Sequence, residues 1–219
     1  MLESWLSQAQ SAEFLQCRRA RLPFAAPSLA ALSASLFDWD GLDAALRQQP
    51  APDLLVVRSN ELLDLPAPRS AHEVRALFAS GAGIVIRRAQ ARTATLQELA
   101  RRFEQAFAAQ VHIQLFVTPA QRQGFGWHYD CDDVIILQTL GVKTYYFRAN
   151  TQSPELDPTA VPDFSLVKRE TSPLLTCTLA SGDALFLPRG MWHAARAVED
   201  SLSISLGLSE ERAAPSPSR

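Results

Sequence analysis

The sequence predicts a mainly β protein with N-terminal helices, in which the strands form a double-stranded β-helix, the jelly-roll barrel. From residue 111 onward, short β-rich runs alternate with turn residues, and seven or eight such runs at this spacing are typical of a sandwich or barrel. Helical patterns with capping residues occur before residue 111. The length of 219 residues suits one structural domain overall, because single β barrels of this size are common.

The first 110 residues, here called the lead-in, begin with helices and loops and are expected to pack on the barrel. An apolar helical pattern around Phe14 stops before Pro23, because proline does not continue a helix. Asp38 or Asp40 is the expected cap of a second short helix, since an aspartate oxygen accepts a bond from the backbone N–H groups of the first turn. Residues 53–58, Asp-Leu-Leu-Val-Val-Arg, predict a strand.

Two capping boxes predict two further helices in the lead-in. Ser70-Ala-His-Glu73 predicts a helix over residues 71–80 that Gly81 ends, and Thr95-Leu-Gln-Glu98 predicts the next one. In such a box, the hydroxyl and the carboxylate each accept a hydrogen bond from a backbone N–H group that the helix leaves unpaired. Residues 83–87, Gly-Ile-Val-Ile-Arg, lie between the two helices and predict a strand.

Strands dominate the predicted core, residues 111–208. In residues 111–117, Val, Ile, Leu and Val alternate with His, Gln and Phe, which predicts a half-buried strand. Residues 133–139 and 142–148 predict two strands, with Leu140-Gly141 as a tight hairpin between them. The proline-rich residues 149–173 predict a long connection of the kind that often covers an active site. The remaining predicted strands cover residues 174–179, 184–187, 194–198 and 203–208, and residues 209–219 predict a disordered tail.

The composition argues against several classes of function. A formal net charge of −2 gives the whole molecule no attraction for nucleic acid or for an anionic membrane. Apolar runs are too short to span a bilayer and the N-terminus lacks a signal-peptide pattern, so a cytoplasmic protein is expected. The three cysteines stand at unrelated spacings and predict neither a disulfide framework nor a zinc site. Monomer and homodimer are both left open.

Candidate metal ligands stand in two separate segments. His128 and Asp130 lie two residues apart, so an extended chain directs both side chains to the same face. His193 follows a predicted strand and a Pro-Arg-Gly turn. Two imidazoles and one carboxylate on one side of a metal leave other positions open, which is typical of non-heme Fe(II) enzymes that use O2. A His-x-Asp pair alone also occurs by chance, so the inference depends on both segments.

Lys143 is the candidate anchor of a cosubstrate. It shares one face of its predicted strand with Tyr145 and Phe147, and this face is expected to line the barrel. Burying an ammonium group is costly unless an anion meets it. A dicarboxylate cosubstrate that chelates iron through a 2-oxo acid end would present its remote carboxylate to this lysine. The alternative is a solvated lysine on a strand.

Together the two segments resemble a known family. One segment runs Gly124-Phe-Gly-Trp-His-Tyr-Asp-Cys-Asp-Asp-Val-Ile-Ile-Leu-Gln-x-x-Gly-x-Lys143, and the other runs Gly182-Asp-x-Leu-Phe-Leu-Pro-Arg-Gly-x-Trp-His193-x-Ala. They are similar to the cupin-like JmjC oxygenases, and most similar to the bacterial ribosomal oxygenase branch. The resemblance covers the chain from about residue 14 to residue 208, with specific motifs after residue 111.

This resemblance implies an Fe(II)- and 2-oxoglutarate-dependent oxygenase. Fe(II) would be held by His128, Asp130 and His193, and 2-oxoglutarate would be anchored by Lys143. The implied reaction uses O2 to hydroxylate a protein or peptide side chain and releases succinate and CO2. Enzymes of similar type that halogenate lack the carboxylate ligand, so the presence of Asp130 favours hydroxylation or demethylation.

The sequence also departs from the family pattern. Relatives of that branch carry a dimerisation region and a winged-helix domain after the core, which this sequence does not show, so a ribosomal substrate and the usual dimer are left open. A strand that commonly reads Val-x-Asn-x-Tyr-x-Thr-Pro is here Val-His-Ile-Gln-Leu-Phe-Val-Thr-Pro, residues 111–119. Gln114 and Ser203 are nevertheless candidate cosubstrate contacts, whereas His112 is interpreted as a packed or hydrogen-bonded histidine.

Two other functions remain compatible with the sequence. One is a hydroxylase of the same cofactor class that acts on a small molecule, as in a biosynthetic pathway. The other is a cupin metal protein that does not use 2-oxoglutarate. Lys143 separates the second from the oxygenases, because a protein without a dicarboxylate cosubstrate has no use for a buried cation at that position.

Overall fold

The chain folds into two facing antiparallel sheets, and this confirms the predicted jelly-roll class. The computed structural model describes residues 6–27, 36–48, 53–153, 156 and 161–209. The helices in these ranges are α1 Gln8–Ala20, α2 Trp39–Arg47, α3 Ala71–Phe78 and α4 Ala94–Phe107. The strands are β1 Phe24–Ala26, β2 Asp53–Arg58, β3 Glu61–Leu63, β4 Gly83–Arg87, β5 Gln110–Thr118, β6 Asp133–Leu140, β7 Lys143–Arg148, β8 Leu175–Leu179, β9 Ala184–Leu187, β10 Trp192–Ala197 and β11 Ser201–Ser209.

The two sheets differ in size. The large sheet has eight described strands in the order β1-β9-β6-β11-β5-β4-β2-β3, and the small sheet has three in the order β10-β7-β8. Three strands of the lead-in, β2 to β4, continue the large sheet beyond β5. An apolar cluster occupies part of the space between the sheets, with members from both of them: Val134, Ile136, Tyr145, Phe147, Leu179, Leu185 and Leu187.

Strand alternation gives the large sheet two different faces. On β5, Ile113 and Leu115 are fully buried in the core that the large sheet shares with the helices. The intervening Gln114 lines a cavity on the other face, as does Ser205 of β11, which lies opposite Gln114 in the pairing of the two strands. Because successive side chains of a strand point to opposite faces, one β sequence supplies both a core and a polar cavity wall.

The helix pattern is confirmed, but two capping details differ from the prediction. Asp38 caps α2 by accepting a hydrogen bond from the N–H of Gly41 at 2.9 Å. The Ser70 hydroxyl caps α3 as expected, whereas the Glu73 carboxylate accepts from the N–H of Arg69 instead of completing the box. α3 also ends at Phe78, two residues before the predicted end. In the described chain, no helix is long and apolar enough to cross a membrane.

The predicted capping box at Thr95 is wrong. α4 begins at Ala94, two residues earlier than a cap at Thr95 predicts, and Thr93 is its cap, with its hydroxyl accepting from the N–H of Leu96 at 3.2 Å. Arg92 explains why Thr93 and not Thr95 caps α4. Its buried guanidinium donates to backbone carbonyls at the end of α2. This long-range contact holds the chain just before Thr93.

The predicted hairpin at Leu140-Gly141 is also wrong. β6 belongs to the large sheet and β7 to the small sheet, so these two residues turn the chain from one sheet to the other. Gly141 has a φ of +68°, and a Cβ at this position would clash with the carbonyl oxygen of Asp200. Only glycine fits this corner without strain. The corner places Lys143 on the wall that faces the large sheet.

Two further boundaries shift from their predicted positions. β10 begins at Trp192, so His193 lies inside this strand and not before it. β11 runs to Ser209, and the remainder of the predicted tail lies outside the described residues.

Residues 149–173 form the predicted long connection, apart from the positions outside the described ranges. The carboxylate of Glu170 closes its base by accepting bonds from the N–H and hydroxyl of Thr151 at 2.7 and 2.8 Å, and from the N–H groups of Thr171 and Ser172 at 3.0 Å. Burial alone would raise the pKa of Glu170, but the bonds from Thr151 and Ser172 outweigh this effect and lower the pKa to about 2. Glu170 therefore fastens the two ends of the connection as an anion.

We expect Glu170→Gln to lower the free energy of unfolding at pH 7 by about 1–3 kcal/mol, because it weakens charge-assisted bonds at a buried position. The folded-state pKa is depressed, so the stabilisation is present above the unfolded pKa near 4.5 and is lost as the pH falls towards 2. Urea unfolding at pH 7 and pH 3 measures this, and the gap between variant and parent should narrow at pH 3. Glu61→Gln, in an exposed pair with Arg58, is the control and should change stability little. A gap independent of pH would contradict the prediction.

Candidate metal centre and cosubstrate pocket

The structure brings together the side chains of His128, Asp130 and His193. One ligand atom from each residue lies within 4.8 Å of the others. A backbone pair joins the two histidines, since the N–H of His128 donates to the carbonyl of His193 at 3.0 Å and the reverse bond measures 2.8 Å. This pairing aligns two segments that are far apart in sequence. The sequence pattern had suggested that His128 and Asp130 lie within a strand. In the structure they precede β6, and His128 forms only an isolated β-bridge with His193.

Backbone carbonyls fix the tautomer of both imidazoles. Nδ1 of His128 lies 2.8 Å from the carbonyl oxygen of Gly126, and Nδ1 of His193 lies 3.0 Å from that of Met191. A carbonyl only accepts, so each Nδ1 carries the proton and each Nε2 presents a lone pair. Burial, together with the neighbouring His128, lowers the pKa of His193 to about 4, although Asp130 opposes this. A neutral imidazole with a free Nε2 is the form that binds a metal.

A turn in the lead-in supports this arrangement, and the sequence did not reveal it. Asn60 lies between β2 and β3, and its side-chain oxygen accepts from the N–H of Gly126 at 2.9 Å while its own N–H donates to the carbonyl of Gly124 at 2.8 Å. Gly126 in turn accepts the His128 Nδ1 proton. A Cβ on Gly126 would lie 3.1 Å from the Asn60 side chain, whereas one on Gly124 would meet nothing within 4 Å. Close approach of the Asn60 side chain therefore favours glycine at position 126 and gives no such reason at position 124.

Hydrogen bonds of Asp133 and of the Asp130 carbonyl connect the ligand segment to the turn before β10. Asp133 accepts from the N–H of Arg189 at 3.1 Å and from the Arg18 guanidinium at 3.2 Å, and the N–H of Gly190 donates to the carbonyl of Asp130 at 2.8 Å. These bonds hold the turn before β10 against the start of β6. Arg18 of α1 thus makes a contact with a residue far away in the sequence.

Aromatic rings contact His128 and its neighbours. The ring centroid of Phe164, from the 149–173 connection, lies 6.3 Å from that of His128 and 5.7 Å from that of Tyr129. Tyr129 packs edge-on against Trp192, with centroids 4.9 Å apart. Phe164 is 42% exposed, so the connection reaches the site and leaves this ring partly open to solvent. No local pattern had singled out Phe164.

A cavity of about 250 Å³ opens beside the three ligands, between the two sheets. Its wall includes Lys143 and the other two candidate cosubstrate contacts, Gln114 and Ser203, together with His112 and Ser205. His112 is exposed and lines this cavity, so it is not a packed histidine, whereas its interpretation as a hydrogen-bonded histidine stays a prediction. The cavity also contains Asp132 and Cys131, which follow the ligand Asp130 in the chain.

Lys143 is a buried cation at the far end of this cavity. It is 3% exposed, its Nζ lies 3.4 Å from the Ser203 hydroxyl and 5.8 Å from the Phe116 ring centroid, and no carboxylate among the described residues pairs with it. Burial lowers the pKa of Lys143 to about 7. In the pairing of β7 with β10, Lys143 lies opposite Ala197 and Phe147 lies opposite His193. Lys143 and the metal ligand His193 are therefore four residues apart along the strands, or roughly 13 Å. The cavity is therefore lined by the three candidate metal ligands and by Lys143, which has no carboxylate partner among the described residues.

This burial predicts a characteristic pH dependence of stability. The folded-state pKa of Lys143 lies near 7, below the unfolded value of 10.5, so the unfolded chain binds more protons between these values and stability should rise with pH across this window. Neighbouring Tyr145 remains neutral throughout, because burial raises its pKa. Urea unfolding of the metal-free protein between pH 7 and 9.5 measures the slope.

Lys143→Met is the matched variant for this experiment. It should remove the contribution of this site to the slope and raise stability at pH 7 by at least about 1 kcal/mol, because it replaces an unpaired buried charge with an apolar side chain of similar length. Lys168→Met, at an exposed position, should leave both quantities unchanged. Parallel pH profiles for the parent and Lys143→Met would contradict the prediction.

Fold and site together define the class of protein: a jelly-roll protein with two histidines and one carboxylate arranged to hold a metal beside a cavity. The chain belongs to the JmjC domain family, whose model matches residues 87–215.

Curated relatives of this chain carry oxygenase names. It is 31% identical over 134 residues to ribosomal oxygenase 1 of Rattus norvegicus, which covers 61% of this chain and 22% of that protein. It is 29% identical over 132 residues to the bifunctional lysine-specific demethylase and histidyl-hydroxylase NO66 of Dictyostelium discoideum, covering 60% and 26%. The chain thus spans about a quarter of these relatives or less.

Solved structures support the fold over nearly the whole chain. Escherichia coli ribosomal oxygenase YcfD superposes with a TM-score of 0.63 at 18% identity, covering 94% of this chain and 52% of that one. YcfD in complex with cobalt and 2-oxoglutarate gives 16% identity with the same TM-score and the same coverage. At this identity the likeness establishes a shared fold.

Proposed function

We propose that this chain is an Fe(II)- and 2-oxoglutarate-dependent oxygenase that uses O2 to hydroxylate a side chain of a protein or peptide. The observation that carries the proposal is Lys143, a buried ammonium without a carboxylate partner among the described residues, in the same cavity as the three ligands. A dicarboxylate cosubstrate supplies the missing anion. Succinate and CO2 are the expected co-products.

The residues present fit both groups. His128, Asp130 and His193 would hold the iron, since their tautomers and proximity suit a divalent metal that accepts nitrogen and oxygen ligands. Lys143 and Ser203 would bind the remote carboxylate of 2-oxoglutarate, with Gln114 on the adjacent wall. When bound, iron, O2 and the 2-oxo acid supply the oxidant for a C–H bond.

The protein's own contribution is positioning and the exclusion of water. Val134, Ile136 and Tyr145 form an apolar wall of the cavity, which strengthens the attraction between Lys143 and an anion. Carbonyls that accept from both Nδ1 atoms keep the imidazoles oriented before any metal arrives. The site is preorganised, so little of the binding free energy is needed to arrange it.

A protein or peptide substrate is supported by the names of the relatives, which include ribosomal oxygenases and a histidyl-hydroxylase. The half-exposed ring of Phe164 beside His128 offers a contact for a chain approaching from solvent. A cytoplasmic location, as the sequence predicts, would place such substrates within reach.

Anaerobic reconstitution with Fe(II) and 2-oxoglutarate, followed by exposure to O2, tests the proposal. Succinate formation should depend on both additions, and incubation with host lysate should yield peptides heavier by one oxygen atom. Oxygen incorporated only into metabolites of the same lysate would shift the assignment to a small-molecule hydroxylase. Succinate formation that does not respond to Fe(II) would overturn the cofactor assignment.

A further inference from the structure

The strand β8 lies at the edge of the small sheet. Within the described part of the chain, β8 pairs with β7 on one side and with no strand on the other. Leu174 and Leu175 at its N-terminal end are 53% and 46% exposed, and Thr176 and Thr178 are exposed as well. Among the described residues, no strand therefore pairs with the outer backbone donors and acceptors of β8, which lie beside exposed apolar side chains.

This edge lacks the charge that normally blocks strand pairing. Soluble proteins protect an edge strand with charged side chains, above all lysine, because a free edge otherwise accepts another strand. Residues 171–182, Thr-Ser-Pro-Leu-Leu-Thr-Cys-Thr-Leu-Ala-Ser-Gly, include no charged side chain. The low net charge of −2 adds little repulsion between two copies. An edge of this kind is suited to pairing.

The sequence of β8 indicates which strand it pairs with. Leu-Thr-Cys-Thr-Leu is the same in both directions. Antiparallel pairing about a two-fold axis through Cys177 sets leucine against leucine, threonine against threonine and cysteine against cysteine. A two-fold interface uses the same surface on both subunits and so requires a self-complementary surface. The palindrome meets this requirement.

We propose that β8 is the interface through which two copies of this chain form a two-fold dimer. The two small sheets then join into one continuous sheet. Leu175 of each copy then lies opposite Leu179 of the other, which is buried in its own core, and the added strand covers part of the exposed Leu175 side chain. A second copy is the proposed partner because its β8 brings the same uncharged, palindromic strand to the two-fold axis. This interface is independent of the proposed chemistry at the metal centre.

Sedimentation velocity over a range of concentrations tests the dimer. An interface of one short strand is small, so a reversible dimer with a dissociation constant in the micromolar range is expected. Thr176→Lys places a charge at the free edge and should raise the dissociation constant at least tenfold. Thr176→Val, which keeps the strand uncharged, and Gln97→Lys, which adds the same charge on exposed α4, should both leave the dimer intact.

Oxidation of the unaltered protein provides a test that needs no folding-sensitive variant. Directly opposed residues of antiparallel strands have Cα atoms about 4.5–5.5 Å apart, within the range that a disulfide spans. Diamide, which accepts the two electrons and two protons that a pair of thiols releases, should therefore link two copies through Cys177. Cys177→Ser should abolish the linked dimer, whereas Cys17→Ser and Cys131→Ser should retain it. The proposal would be overturned if the chain sedimented as a monomer at 200 µM, about a hundredfold above a low-micromolar dissociation constant. It would also be overturned by a dimer that Thr176→Lys leaves intact, or by oxidation that links two copies through another cysteine.

Discussion

Asp130→Ala should lower the affinity of the protein for Mn(II) or Co(II) by at least about 100-fold. Asp130 is the only anion of the three candidate ligands, and loss of even the outer residues that orient a ligand typically costs 10–100-fold in metal affinity. Its side chain is 41% exposed and its one described partner is His193 at 3.4 Å. The substitution should therefore change the thermal midpoint of the metal-free protein by no more than a few degrees.

The control is Asp132→Ala. Asp132 lies two residues further along the same segment and lines the same cavity, but it is not one of the three grouped ligands. Isothermal titration calorimetry under anaerobic conditions should give nearly the parental affinity for this variant. Equal losses in both variants would mean that negative charge near the cavity attracts the metal without direct ligation. Parental affinity in Asp130→Ala would contradict the triad itself.

Lys143→Ala should weaken binding of 2-oxoglutarate by roughly 30- to 1,000-fold, corresponding to about 2–4 kcal/mol for loss of one partner of a buried charge pair. The cause is the remote carboxylate, which would enter a poorly hydrated cavity without a cation to meet it. Calorimetry of the Mn(II)-loaded protein measures the dissociation constant. Affinity for Mn(II) itself should remain within about threefold of the parent, because Lys143 is not a ligand.

A cosubstrate analogue separates the lost charge pair from general damage to the cavity. In 2-oxopentanoate a methyl group replaces the remote carboxylate, so the parent should prefer 2-oxoglutarate while Lys143→Ala should bind the two compounds almost equally. Lys143→Arg keeps the charge and should retain part of the preference. Lys168→Ala, at an exposed position, should behave as the parent. If Lys143→Ala still preferred 2-oxoglutarate, the cosubstrate assignment would fail while the metal centre would stand.

Residue type and local period predicted much of the fold. The alternation along β5 identified a strand with one apolar and one polar face, and the structure buries Ile113 and Leu115 while Gln114 lines the cavity. Local hydrogen bonding also made the α2 cap predictable, because Asp38 acts within one turn. Such features depend on neighbours within a few residues, and these neighbours are visible in the sequence.

The predictions were wrong where two local structures suited the sequence equally well and contacts between distant residues determined which one forms. Thr93 and Thr95 are equally good caps, and the anchoring of Arg92 to the end of α2 favours the first. Leu140-Gly141 suits a hairpin and a corner alike, and the packing of Gly141 against Asp200 decides for the corner. Local energies are nearly equal in each case, so tertiary contacts worth about 1 kcal/mol suffice to decide.

By itself, the sequence determined the chemical character of the site: two imidazoles, a carboxylate and a lysine on a strand face next to aromatic side chains. Only the tertiary structure decided that the imidazoles and the carboxylate converge, that Asn60 and Phe164 support His128, and that Lys143 has no carboxylate partner among the described residues. The reason is physical. Ligand identity is a property of single side chains, whereas proximity, burial and unpaired charge are properties of segments brought together from across the chain.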